Sequence, residues 1–535
     1  DSAGRLDYAV TIAGHADGAL RFTAEAETRE DFVTCRAGFV VLHPAGVAGL
    51  PVAVEHVDGA REQTRFPERI DPVQPMRDLR ALTHEFAPGA RVTCRMEGDA
   101  FEMEDQRNWT DASFKTYVRP LALPWPYTIA AGTRFTQSVA LRVAGRPAAA
   151  AAADPVVRLE IGAPVGAMPT LALGCDPVEA AAGLAQVAAL RPLGIRHLIC
   201  RFDPGAGHGA AALAPVRDLA AALGAAVEVQ LVVPSLDAVE QDIAEAAAAL
   251  RSAGLVPDAV AVSSAADLKS TPPGSAWPPC PDARRVLTAA RRAFPGVPLG
   301  GGMFSYFTEL NRKRPPLDLI DSVTFSTSAI VHAADDRSVM ETLEALPAIA
   351  ASARAIAGDR PFAVGPGGIG MRDNPYGPAP LANPANIRLP MARRDPRHFG
   401  LFNAAFSLGY IARFAAGGAA RVALGAPAGD FAVADADHPW PLFHVLQGCA
   451  RLAGAALHAV RTSREHDVLA LLAEAGGARV LWLANLTPAP VRVAVPLHAA
   501  RVLDAACGPS WHAMRVQPVT DGTLTLDAYA VAEVT

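Results

Sequence analysis

The chain has 535 residues, of which 51% are hydrophobic and 19% charged, and a net charge of −6. That balance supplies a large core and excludes a disordered chain. The missing basic run argues against a nucleic-acid partner, and no apolar stretch nears the roughly 20 residues of a membrane helix.

At about 150 residues per domain the length predicts two to four domains. Residues 1–146 alternate at period two over 6–13, 19–26, 32–42, 90–96 and 135–143, with Gly or Pro between the runs, which predicts a β-sandwich. Pro147, six alanines and Asp154-Pro155 then predict a linker over 147–164. From 165 to 461 short apolar runs alternate with Ala- and Leu-rich helical stretches. Strands are expected at 170–174, 196–202, 226–233, 259–263, 299–304, 322–326, 362–364 and 420–424. Helices are expected at 177–190, 210–223, 236–253, 282–294, 338–357, 399–415 and 441–459. Eight such units predict a (β/α)8 TIM barrel. A doubly wound sheet is the alternative, but it usually has fewer strands, and no glycine-rich phosphate loop follows strand one. Residues 462–535 return to strand periodicity at 468–472, 478–485, 491–495 and 523–526, a small C-terminal β-domain. The expected fold is therefore multidomain: a central barrel with β-domains on either side.

In a barrel the chemistry sits where strands end. The short loops after strands one to three read as structural, although Asp203, Ser235 and Asp237 lie there. The loops after strands four to seven are long and polar, and they carry Asp267 and Lys269, Tyr306, Glu309 and Asn311, His332 and Asp336, then Arg372 and Asn374. Each also has a plain structural reading. One of Asp335 and Asp336 precedes a helix and fits an N-cap. Asp267 and Lys269 fit a surface pair, and Asn374 fits a turn. Outside the barrel, the densest polar run is 102–117, with Arg107 and Trp109. It reads either as a solvated loop or as a loop lending an arginine and an aromatic face to a sugar pocket. Composition points the same way. Only three of the 48 basic residues are lysine, and Lys115, Lys269 and Lys313 all fall in or beside these runs. The seven cysteines are scattered without a CxxC pair, which reads as reduced thiols in a cytoplasmic protein. HExxH and paired histidine spacing are absent, so no metal is expected, and no cofactor is expected either; the absence of Gly-x-Ser-x-Gly weakens a serine-esterase reading.

The run Glu102-Met103-Glu104-Asp105-Gln106-Arg107-Asn108-Trp109-Thr110-Asp111 resembles the D-apionate lactonase family of bacterial D-apiose catabolism. So do Asp267-Leu268-Lys269-Ser270, Met303-Phe304-Ser305-Tyr306-Phe307-Thr308-Glu309, His332-Ala333-Ala334-Asp335-Asp336 and Met371-Arg372-Asp373-Asn374-Pro375-Tyr376-Gly377. The resemblance runs through most of the chain. It implies hydrolysis of D-apionolactone to D-apionate, in a fold related to barrel glycoside hydrolases. Those glycosidases end strand four on Asn-Glu. This chain instead reads Val262-Ser263-Ser264-Ala265-Ala266-Asp267, and its seventh strand ends in Gly-Pro-Gly-Gly. A retaining glycosidase needs two carboxylates about 5–5.5 Å apart, so their loss favours lactone chemistry. The residues then sort into expected roles. His332, Asp267, Glu309 and Asp336 are acid–base candidates. Lys269, Tyr306, Asn311, Arg372, Asn374, Trp109 and Arg107 are expected to bind the sugar lactone. A glycoside hydrolase and a non-catalytic sugar-binding barrel are the rival readings.

Overall fold

The computed structural model describes residues 4–535 except 17, 148–153, 274, 437 and 497–498. The six alanines of the expected linker lie outside the described residues. The chain divides into two compact units. One holds residues 1–108, 112–153 and 271–276, and the other holds 109–111, 154–270 and 277–535.

The N-terminal unit is all β. A ten-stranded antiparallel sheet runs Leu6–Gly14, Ala19–Thr28, Arg134–Gly145, Ala90–Glu97, Leu79–Ala87, Phe101–Asp105, Ser113–Val118, Val40–Pro44, and Pro51–His56 and Arg61–Arg65 branch from Leu79–Ala87. Alternate apolar residues, among them Phe66, Leu82, Met96, Phe101, Met103 and Phe114, collect in one core. The single strand expected at 32–42 is two strands, Phe32–Thr34 and Val40–Pro44. Gly38 separates them at φ 149°, a backbone conformation that side-chain-bearing residues rarely adopt, and a Cβ there would also displace the end of the Gln137 side chain. The polar run at 102–117 is a hairpin rather than an open loop. Phe101–Asp105 pairs with Ser113–Val118 in antiparallel register, and a 3-10 turn at Gln106–Trp109 forms the tip.

The second unit contains a closed parallel barrel: β1 (Thr170–Gly174), β2 (His197–Phe202), β3 (Ala226–Val233), β4 (Ala259–Ser264), β5 (Leu299–Gly302), β6 (Ser322–Phe325), β7 (Phe362–Gly367) and β8 (Arg421–Leu424). All eight expected strands are present. β7 runs further than expected, through Gly365. There a Cβ would sit 2.3 Å from the Ala423 carbonyl oxygen, and the absent side chain lets β7 and β8 approach. Helices α1 (Pro177–Leu184), α2 (Phe307–Arg312) and α3 (Asp336–Glu341) follow β1, β5 and β6. The helix expected at 338–357 is interrupted by a 3-10 turn at Thr342–Glu344 and resumes at Leu346–Ala357, where Pro347 takes a first-turn position.

Two expectations at the barrel's edges are corrected. The helix expected at 441–459 stops at Ala450, and Ala456–Thr462 is a strand paired with Val468–Ala475. The segment expected to be linker also contributes strands. Leu159–Ala167 pairs with Ala456–Thr462, and Val156–Val157 pairs with Val491–Ala494. Val157 is fully buried among Leu481, Val493 and Leu524. Its partners lie more than 300 residues away in sequence, so local periodicity could not reveal the pairing. The C-terminal domain is thus two sheets, of seven and three strands, over one apolar core.

Candidate active site

The C-terminal ends of the barrel strands gather a set of polar groups. Glu309 lies in α2, just past β5, and is 2% exposed. Burial pushes its carboxyl up to about 7, against the opposing pull of the Ser270 and Ser305 hydroxyls and of Arg312. Ser305 Oγ donates to Glu309 Oε2 at 3.4 Å, and Oε1 has no hydrogen-bond partner among the described residues. Tyr306 is the N-cap residue of the same helix, is buried, and donates its hydroxyl to the Asp373 carbonyl. Burial, then the charges of Asp373 and Glu309, raise its phenol well above the ordinary range, while Arg201 works in the opposite sense.

Arg201 projects from β2 and pairs with Asp373 at 3.1 Å, while its second amino group donates to the Phe304 carbonyl at 3.3 Å. Its Nε has no partner among the described residues. Over this group lies Trp109, 4% exposed, with ring centroids 6.4 Å from Tyr306, 5.8 Å from Tyr376 and 6.3 Å from His332. The Arg312 guanidinium sits 5.9 Å from the Trp109 ring. His332 Nδ1 and Asp111 Oδ2 are 2.5 Å apart, and both side chains are partly exposed. A carboxylate oriented on imidazole in this way fixes the tautomer and leaves Nε2 for proton transfer.

A second cluster lies on the β1 side. Arg372 reaches both Glu179 oxygens at 3.4 Å, donates to the Gly425 carbonyl at 3.1 Å, and stacks 4.2 Å over Phe431. Arg393 adds contacts to Glu179 at 3.4 Å and Asp430 at 3.3 Å. Burial raises the Glu179 carboxyl, and Arg372 opposes it.

The structure therefore brings together Trp109, Tyr306, Glu309 and His332, and sets Arg372 among acids on the β1 side. Other expected residues are engaged elsewhere. Lys269 Nζ donates to the carbonyls of Asn374 (2.9 Å) and Gly377 (2.6 Å), which pins the loop after β7. Asn374 Oδ1 accepts from the Tyr376 and Gly377 amides at 2.9 and 2.8 Å, so it shapes that loop. Asn311 is 2% exposed within α2 and accepts from Arg314 at 3.3 Å. Asp267 is ion-paired with Lys313. Asp335 is the N-cap of α3, and Asp336 is held by Arg397 and Arg388, each at 3.0 Å. Arg107 forms a buried fork on Asp105 inside the N-terminal unit, with Nε and Nη2 at 2.8 and 2.7 Å, and donates to the Pro67 carbonyl at 2.8 Å.

Sequence reasoning missed Arg201, Asp373, Glu179 and Asp111. Glu179 comes from the first turn of α1 and Arg201 from strand β2, so the β1 and β2 side of the barrel also contributes charged groups. A charged residue inside an apolar strand run, Ile199-Cys200-Arg201-Phe202, was the available signal for Arg201. Among the described residues no group of three or more His, Cys, Asp or Glu side chains is placed to hold a metal ion.

The chain is 45% identical over 512 residues to the D-apionate lactonase of Brucella anthropi, a match covering 94% of this chain and 83% of that protein. Three family models match in succession: the D-apionate lactonase N-terminal domain at 1–146, its TIM barrel domain at 171–454 and its C-terminal immunoglobulin-like domain at 465–534. Solved structures similar to this chain include a GH30 endoxylanase from Clostridium papyrosolvens (TM-score 0.46, 12% identity, 71% of this chain and 98% of that one). A beta-arabinopyranosidase has a TM-score of 0.38 at 10% identity, over 99% of this chain and 90% of that one. On its three matched domains and its likeness to the Brucella protein, the chain belongs to the D-apionate lactonase family.

Proposed function

We propose that the chain is a lactonase that opens a sugar-acid lactone, D-apionolactone to D-apionate, in D-apiose catabolism. The observation that carries this reading is the 45% identity to a D-apionate lactonase along nearly the whole chain. The site chemistry supports it. Ester hydrolysis needs a base for water, positive charge for the oxyanion and an acid for the departing alkoxide. Glu309, with its carboxyl near 7 and one oxygen unpartnered among the described residues, is suited to take the proton from water and return it to the ring oxygen. Arg201 supplies the charge for the oxyanion, and Arg372 suits the new carboxylate. Trp109 and Tyr306 offer the apolar faces against which a sugar ring packs. The contact of His332 with Asp111, beside Trp109, supports a second proton-transfer role for the imidazole.

A retaining glycosidase is disfavoured by the strand ends. β4 closes on Ser263-Ser264 and β7 on Gly367, with no carboxylate at either. The test is a pH-stat assay with D-apionolactone beside an aryl-glycoside assay. Proton release from the lactone, lost in Glu309→Gln, is expected. Turnover of the glycoside with an inert lactone would overturn the proposal. Full lactonase activity in Glu309→Gln would leave the reaction standing and remove Glu309 from it.

A further inference from the structure

Three consecutive barrel strands each carry a buried polar atom with no hydrogen-bond partner among the described residues: Arg201 Nε on β2, Gln230 Nε2 on β3 and Ser263 Oγ on β4. Gln230 is 1% exposed and Ser263 4%. The strands fix where they point. Glu228 of β3 is ion-paired with Arg421 of β8, and β1 and β2 lie between those two strands, so the Glu228 side chain reaches across the barrel interior. Side chains alternate between the faces of a strand. Gln230, two residues on, therefore also points inward, nearer the C-terminal end where the candidate site lies. Its ladder partner is Arg201, so the two share a face on strands roughly 4.8 Å apart. Val232, two residues further, packs with Ala261 and Phe304, and its ladder partner is Ser263. The three groups thus hold neighbouring positions on one inner wall. An arginine Nε–H and an amide N–H can only donate, and a hydroxyl can donate. Donors cut off from water without an acceptor are costly. Asp373 is already engaged by both amino groups of Arg201, and Val232, Ala261 and the Phe304 ring around the donors are apolar. The wall is therefore complementary to an oxygen acceptor that a ligand brings.

We propose, resting on the lactonase reading above, that Gln230 and Ser263 join Arg201 as the subsite for the carbonyl oxygen of the lactone, and for a carboxylate oxygen of the acid it becomes. Water adds to the carbonyl carbon and gives a proton to Glu309. The electron pair of the C=O bond moves onto the carbonyl oxygen, where donors from β2, β3 and β4 stabilise the growing negative charge. The pair returns as the ring C–O bond breaks, and the ring oxygen takes the proton back from Glu309 and leaves as a hydroxyl. The donors and the proton carrier thus come from different strands, β2 to β4 for the first and the helix after β5 for the second.

Gln230→Leu keeps the bulk of the side chain and removes its donor. With D-apionolactone in the pH-stat, its kcat is expected to fall by about 100-fold while KM changes by less than about threefold. Gln230→Glu sets an acceptor where the donor was and should be at least as slow. A purely structural glutamine would leave kcat at the parent value in folded Gln230→Leu. That result overturns the proposal, and the activity of the parent then leaves the lactonase reading standing. A parent inert toward the lactone overturns that reading, and this subsite with it. Crystals of the unaltered chain soaked with D-apionate give a measurement for which no variant has to fold. A carboxylate oxygen within about 3.2 Å of Gln230 Nε2 is expected. Water alone at that position, with the acid bound elsewhere, overturns the proposal.

Discussion

At residue scale the contest is between solvation and function, and Glu309 decides it. Its carboxyl is held near 7 instead of 4.5 because the charged form is cut off from water. The folded state therefore binds the proton more tightly than the unfolded state. Below pH 4.5 both states are protonated and nothing is lost. Above about 7 both are ionised, and burying the charge costs the fold on the order of 3 kcal/mol. Stability should thus fall as pH rises from 4.5 to 7. Glu309→Gln should melt higher than the parent at pH 8 and about equally at pH 4.5, while losing on the order of 100-fold in kcat. Parent activity should rise with pH through about 7, followed by proton release from the lactone. His332→Ala tests the second proton-transfer group. If the pair acts with Glu309, kcat should fall by about tenfold or more with little change in melting temperature, since both side chains are partly exposed. An unchanged rate would leave Asp111 and His332 as a surface contact.

At the scale of elements, the Phe101–Val118 hairpin shows how a polar run becomes rigid. Arg107 and Asp105, both nearly unexposed, form a fork at the turn. Burial raises the Asp105 carboxyl even though Arg107 pulls the other way, so the pair is needed to offset desolvation. Removing one partner strands the other charge. Arg107→Met should cost about 3–5 kcal/mol by urea denaturation, and Asp105→Leu combined with Arg107→Met should restore much of it. An unaltered unfolding midpoint in the single variant would show that water solvates Asp105. The density of Glu, Asp, Arg and Asn in this run was legible in the sequence. Its meaning was not, because a fork between residues two apart and a sugar contact call for the same residue types. The same ambiguity covered Asn374 and Lys269, which shape the loop after β7.

At the scale of the whole molecule, the C-terminal domain is completed by residues that precede the barrel. Val157 is fully buried in its core and Leu159 packs against it. Val157→Ala should lower stability by about 2 kcal/mol through the lost methyl groups and the space they leave. Limited proteolysis of the 465–534 region should quicken accordingly. Unchanged proteolysis there would show that the strand is dispensable.

The sequence by itself determined the eightfold strand–helix rhythm, the β-rich flanks and the loops that carry the polar groups. Those features are local: strand and helix periods repeat within ten or twenty residues. Tertiary structure alone decided which polar groups meet. Arg201 and Asp373 lie 172 residues apart, and His332 and Asp111 lie 221 apart. Val157 finds its partners in strands that begin more than 300 residues later. No periodicity spans such distances. Closing the barrel sets which strand ends share a mouth, and burial there turns an ordinary glutamate into a group that titrates near neutral pH.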